Sequence, residues 1–153
     1  MPVDRSYTAE NDAERERLRA LVRRLSDQNL GRPMEAGWTV AGVLAHIAFW
    51  DQRIVTLLDQ WERRGPSWTP PIEEERDVDW INDATKPLCL ALAPRVAAEL
   101  ALSIAETVDR RVAEASEAIL EANARGPFLN WRRAVHRREH LDEIEGALRR
   151  RPA

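Results

Sequence analysis

Two of the chain's three histidines stand four residues apart in "NWRRAVHRREHLDEIEGALRR". At that spacing on a helix the side chains share one face, with Cβ atoms ~5–6 Å apart, so His136 and His140 can reach a single metal ion. Further steps of four along the same line reach Ile144 and then Leu148. The pair therefore sits on the apolar stripe and not on the arginine-rich outer face. The third histidine, His46, lies in "VLAHIAFWD" among Leu44, Ile47, Phe49 and Trp50, on a different helix, and should be largely buried. Imidazole nitrogen suits Zn, Ni, Cu or Fe. Three of them supply three tetrahedral positions and leave the fourth for water or substrate, the mark of a catalytic site. Neutral ligands leave the 2+ charge uncompensated, which lowers the pKa of a bound water or thiol and favours an anionic nucleophile.

Two other readings of the same residues stay in view. An isolated HxxxH on a charged helix is more often solvated, with a histidine such as His46 simply hydrogen-bonded in the core. HRREH also matches the inverted zinc-protease pattern HxxEH, in which Glu139 would be a general base. That site needs a carboxylate ligand well downstream, and too little chain follows His140 to provide one. Glu139 then becomes a group close to the site or a surface residue paired with arginines.

The chain has 153 residues, 44% hydrophobic and 32% charged, rich in Ala, Leu, Glu and Arg, which favours helix in one domain spanning 1–153. A formal net charge of −3, with acidic and basic residues interspersed, argues against nucleic acid or an anionic membrane as partner. Cys89 is the single cysteine, which excludes an internal disulfide and a cysteine-rich metal cluster and points to a reducing cytoplasm. It reads as a small core residue. The charged start "MPVDRSYTAENDAERERL" is unlike a signal peptide, and "VAGVLAHIAFW" is well short of the ~20 apolar residues that cross a bilayer.

The elements that must carry the histidines follow from periodicity. A first helix is expected from Asp12 to Leu30, with Asn11 as N-cap, Glu14 behind it, and Leu18, Leu21, Val22 and Leu25 as its stripe. "GRPMEAGW" breaks it. A second helix starts at the N-cap Thr39 and runs to Arg64, with Val40, Val43, Leu44, Ile47, Ile54, Leu58 and Trp61 inward. "GPSWTPPIEEERD" reads as a long loop, and "VDWINDATK" as a short helical piece stopped by Pro87. Pro94 opens a third long helix in which Val96, Leu100, Ile104, Val108, Val112 and Ala115 recur, ending before "ARGPF". Asn130 can cap the last helix, with Val135, Ile144 and Leu148 apolar. The fold class expected is all-α, a four-helix bundle whose long second connection allows either a simple up-down order or a crossover.

"GWTVAGVLAHIAFWD" followed much later by "HRREHLDEIEGAL" resembles the DinB/YfiT-like superfamily of metal-binding four-helix bundles. Its members share a Trp-(Thr/Ser)-Val lead, here Trp38, Thr39 and Val40, into the helix with the first metal histidine, here His46. They end in an HxxxH helix, here His136 and His140. The resemblance implies a divalent ion, usually Zn or Ni, at one end of the core. It also implies a relationship to thiol-dependent enzymes: mycothiol-dependent maleylpyruvate isomerase and S-transferases using mycothiol, bacillithiol or glutathione. The separate C-terminal domain of the maleylpyruvate isomerases is not seen here, which sets that reaction apart. Relatives often form homodimers.

By the same resemblance, "DVDWIND" places Asn82 near the pocket mouth as a polar contact to a cofactor, with a helix-cap role for Asn82 or Asp79 as the alternative. Trp50, one turn beyond His46, can wall the pocket against a bound cofactor or fill the core, and core is the favoured reading. Trp68 can act as a lid or pack locally. Arg133 and Arg137 can hold a substrate carboxylate, although a solvated role is the expectation for arginines on an exposed helix. The function expected is a metal-dependent enzyme activating a small thiol or water for detoxification, acting on a small molecule. The alternatives are a non-catalytic small-molecule binder and a dimeric helical interaction module.

Overall fold

The computed structural model describes residues 3–150, which form seven α-helices and no strand. They are α1 (Tyr7–Arg24), α2 (Asp27–Leu30), α3 (Val40–Arg64), α4 (Glu75–Ala91), α5 (Pro94–Ala113), α6 (Glu117–Arg125) and α7 (Arg133–Arg149). Four long helices close a ring: α1 packs on α5 and α7, and α3 packs on α5 and α7, with α4 laid against α3 from outside. Cross-links give the directions. Arg19 meets Glu106 and Arg15 meets Asp109, so α1 and α5 are antiparallel. Asn11 meets Ala134 and Arg17 meets Asp142, so α1 and α7 are parallel. The order is up-down-down-up, and α4 is the crossover that lets α3 and α5 run parallel. This decides the connection that the sequence left open.

Local chemistry explains where α3 lies, and α3 carries His46. Thr39 Oγ1 accepts from the Gly42 N–H at 3.0 Å, the N-cap expected of a threonine in extended backbone. At the other end Gly65, at φ 88°, turns the chain while its N–H bonds the Trp61 carbonyl at 2.8 Å. Gly42 also suits the packing, because a Cβ there would meet Leu90 Cδ2 at 2.8 Å and push that side chain aside. Without that Cβ, α4 docks on α3.

Several boundaries differ from the expectation. Asn11 lies inside α1 and is buried; it caps α7 instead, with Oδ1 accepting from the Ala134 N–H at 2.9 Å and Nδ2 donating to the Trp131 carbonyl at 2.9 Å. The Asn130 side chain accepts from the Arg132 N–H, one residue short of α7. The first helix breaks at Leu25, and Ser26 caps α2. α4 runs through Pro87 rather than stopping there, since Asp83, whose carbonyl loses its helical N–H partner, is exposed to water. The third helix likewise ends at Ala113, and Ser116 caps a separate α6.

The stripe assigned to α5 was half right. Val108, Val112 and the following Ala115 are buried, but Val96 and Leu100 are exposed and Ala97, Ala98, Ala101 and Ala105 face the core. Alanines let α5 approach α3 closely, and that close approach outweighs the larger side chains. Val135 of α7 is also exposed, 51% by area.

The core has two apolar clusters, one around Leu18, Leu44, Ile47, Leu141 and Ile144, the other around Ile54, Leu58, Trp61, Val108 and Val112. Between them runs a layer of buried polar groups: Asn11, Asp51, Asp109 and Arg137. The histidines lie beside this layer.

Candidate metal centre

His46 projects from the middle of α3, and His136 and His140 from consecutive turns of the antiparallel α7. The three Nε2 atoms converge. His136 Nε2 is 3.3 Å from His46 Nε2 and 3.1 Å from His140 Nε2, and all three ligand atoms lie within 4.8 Å of one another. Tetrahedral Zn–N bonds of ~2.0–2.1 Å place neighbouring ligand nitrogens ~3.3–3.4 Å apart, so the spacing fits one ion. A neutral imidazole carries one N–H, and three imidazoles facing one another cannot all be satisfied by protons. A cation at the centre accepts all three lone pairs.

Electrostatics favour the same state. Burial pushes the His46 pKa from its ordinary 6.5 down to about 4, with His140 adding to the effect. His136 goes down to about 2, first through burial, then through His140 and the nearby Arg133 charge. Both rings are therefore neutral bases at physiological pH. His140 Nδ1 lies 3.0 Å from Glu143 Oε2, a carboxylate that can orient the ring. The buried Nδ1 atoms of His46 and His136 have no protein partner among the described residues.

The triad forms the floor of a cavity of about 620 Å³, within the roughly 300–1,000 Å³ of small-molecule sites. Trp38, Val43 and Trp50 line it from the α3 side. Val78, Asn82 and Lys86, spaced by four along one face of α4, form the opposite wall, and Arg133, Glu139 and Glu143 of α7 also line it. Asn82 Oδ1 accepts from Trp50 Nε1 at 2.9 Å, so the two residues expected at a cofactor meet and tie α4 to α3. Trp50 is a half-buried pocket wall, which corrects its assignment to the core. At the rim Lys86 bonds the carbonyl of Ala36, a residue held at φ 54°, and lies 5.4 Å from the Trp38 ring. Trp68 packs locally under Arg64, while Asp79 is exposed, and Cys89 is buried with its thiol pKa raised by desolvation.

Arg133 and Arg137 overturn the expectation of a solvated role. Arg137 is fully buried and bridges Asp51 Oδ2 at 3.2 Å and Asp109 Oδ1 at 2.7 Å. Arg133 Nε donates to Asp51 Oδ1 at 2.8 Å. Arg15 reaches Asp109 from α1 at 2.8 Å. The network locks α1, α3, α5 and α7 together directly beneath the histidines. A signal for it existed in the sequence: Asp51 stands four after Ile47 and three before Ile54, on the buried stripe of α3, and Arg137 stands four before Leu141. A charge on an apolar stripe is paired.

The sequence model of the DinB superfamily matches residues 10–144, which takes in all three histidines and the whole polar layer. The chain belongs to the DinB superfamily. As a DinB-superfamily member it has the all-helical fold expected and a histidine triad that could hold a divalent metal. No curated protein and no solved structure matches the chain. Among the described residues no helix is long and apolar enough to cross a membrane.

Proposed function

We propose that this DinB-superfamily protein is a divalent-metal-dependent enzyme of small-thiol chemistry, an S-transferase or isomerase in type, with His46, His136 and His140 as the metal ligands. The observation that carries the reading is the convergence of three imidazole Nε2 atoms, at 3.1 and 3.3 Å from His136 to its two neighbours, on the floor of an open cavity. Zn or Ni is the ion, and mycothiol or bacillithiol the class of cosubstrate. Bound there with an open position, such an ion supplies activation of a thiol or water as an anionic nucleophile near neutral pH.

The chain's own residues do the rest. Burial keeps His46 and His136 unprotonated, so no proton competes for their Nε2 atoms at neutral pH. Glu143 orients His140. The Trp50–Asn82 hydrogen bond holds the wall against which a thiol cosubstrate would lie, with the Asn82 amide nitrogen free to donate to it.

The test is elemental analysis of untagged protein purified without added metal, beside variants in which each histidine is replaced by alanine, followed by thiol-transfer assays on electrophiles. Near-stoichiometric Zn or Ni that disappears in every variant, with activity lost in parallel, is expected. A wild type that neither contains nor takes up Zn or Ni, or full activity in His136→Ala, would refute the reading.

A further inference from the structure

Arg133 is the one cation buried in the cavity wall. It is 5% exposed and lines the cavity one helical turn from His136. Its Nε is occupied by Asp51 at 2.8 Å, and Nη1 reaches the Asn130 carbonyl only at 3.5 Å. Nη2 has no hydrogen-bond partner among the described residues. Asp51 does not need Arg133 for its neutralisation alone, because Arg137 holds its other oxygen. Counting Arg15, three guanidinium groups face the two buried carboxylates Asp51 and Asp109. A buried guanidinium with a spare pair of donors on a cavity wall is built to receive an acceptor.

From this geometry we infer that Arg133 is a specificity-determining residue that binds the carboxylate of the substrate through its Nη1–Nη2 edge, an inference that rests on the metal-centre reading above. The charge balance selects a carboxylate over a phosphate. The cavity rim carries Asp83, Glu139 and Glu143, and its other cation, Lys86, is engaged with Ala36. A phosphate dianion would meet one free cation and three carboxylates. A single carboxylate matches the two parallel donors of one guanidinium edge. The spacing narrows the class further. Arg133 and His136 stand one helical turn apart and line the same cavity, so a short-chain acid carrying both a thiol and a carboxylate is the probe.

The experiment uses the Co(II)-loaded protein and two probes, 3-mercaptopropionate and its uncharged counterpart 2-mercaptoethanol, with visible absorption as the readout. A charge-assisted bidentate contact predicts that the carboxylate compound binds roughly ten- to hundredfold tighter. Arg133→Gln brings the two to within about twofold and still takes up Co(II), because Arg133 is not one of the three ligands. Arg133→Lys, which keeps the charge and the Asp51 ion pair but loses the paired donors, falls between and decides the matter if the glutamine variant fails to fold.

Equal binding of the two probes by wild type, or a preference that survives both substitutions, overturns the inference and leaves the metal centre standing. Failure to take up Co(II) overturns the metal reading instead. A second measurement then decides the carboxylate contact by itself. Propionate titrated into metal-free protein shifts the backbone amide resonances of residues 133–136 in wild type and not in Arg133→Gln. Absence of that shift in wild type overturns the inference.

Discussion

Acidification of the metal-free protein is the most direct probe of how the histidines are held. In the folded chain His46 has a pKa of about 4 and His136 of about 2, against 6.5 when unfolded. Between those values the unfolded chain takes up protons that the folded chain refuses, so protons favour unfolding. The stability contributed by the two neutral rings is therefore complete above pH 6.5. It declines as pH falls below that, levelling off for His46 near pH 4 and for His136 near pH 2. Each ring loses up to ~1.4 kcal/mol per pH unit. At pH 5 the two together amount to about 4 kcal/mol, out of roughly 8–20 kcal/mol expected for a chain of this length. That corresponds to a fall in Tm of about 8–16 °C.

The assay is thermal unfolding followed by circular dichroism from pH 7.5 to 5, with a chelator present, beside a His46→Gln/His136→Gln double variant. The variant keeps every other titrating group and should lose only what those groups lose. Parallel pH profiles for the two proteins, agreeing within about 3 °C, would refute the reasoning, because they would mean that the imidazoles protonate in the folded state without cost.

Three further outcomes follow from particular contacts. Arg137→Ala leaves Asp51 and Asp109 buried with fewer partners and should cost about 3–5 kcal/mol by denaturant unfolding. Glu143→Gln should weaken zinc binding about 10–100-fold by competition with a chromophoric chelator, with little change in metal-free Tm because Glu143 is exposed. Asn11→Ala strands the Ala134 N–H and the Trp131 carbonyl and should destabilise by about 1–3 kcal/mol, with hydrogen exchange speeding first at the start of α7.

How much of this was legible depends on whether the signal is local. The all-helical class, Thr39 as a cap, the inward faces of α1 and α3, and the three histidines could all be read from spacing. Each rests on the 3.6-residue period or on one side chain bonding its own backbone. The recurrence His136, His140, Ile144, Leu148 was sufficient to place the pair on the inner face.

Other features depend on which helices meet, and the period of one helix does not carry that. The alanine face of α5 prevailed over its valines and leucines because close approach to α3 depends on the partner's surface. Asn11 caps a helix more than 100 residues away. The arginines of α7 look solvated by composition, but Arg137 is buried because Asp51 and Asp109 arrive from α3 and α5 to neutralise it. The sequence by itself determined the residue types of the candidate site and the face on which they lie. Only the tertiary structure brought His46 and His140 each to within 3.3 Å of His136, with all three ligand atoms inside 4.8 Å, and left one arginine edge open beside them, because the antiparallel register of α3 and α7 and the charge balance beneath them are properties of the assembled bundle.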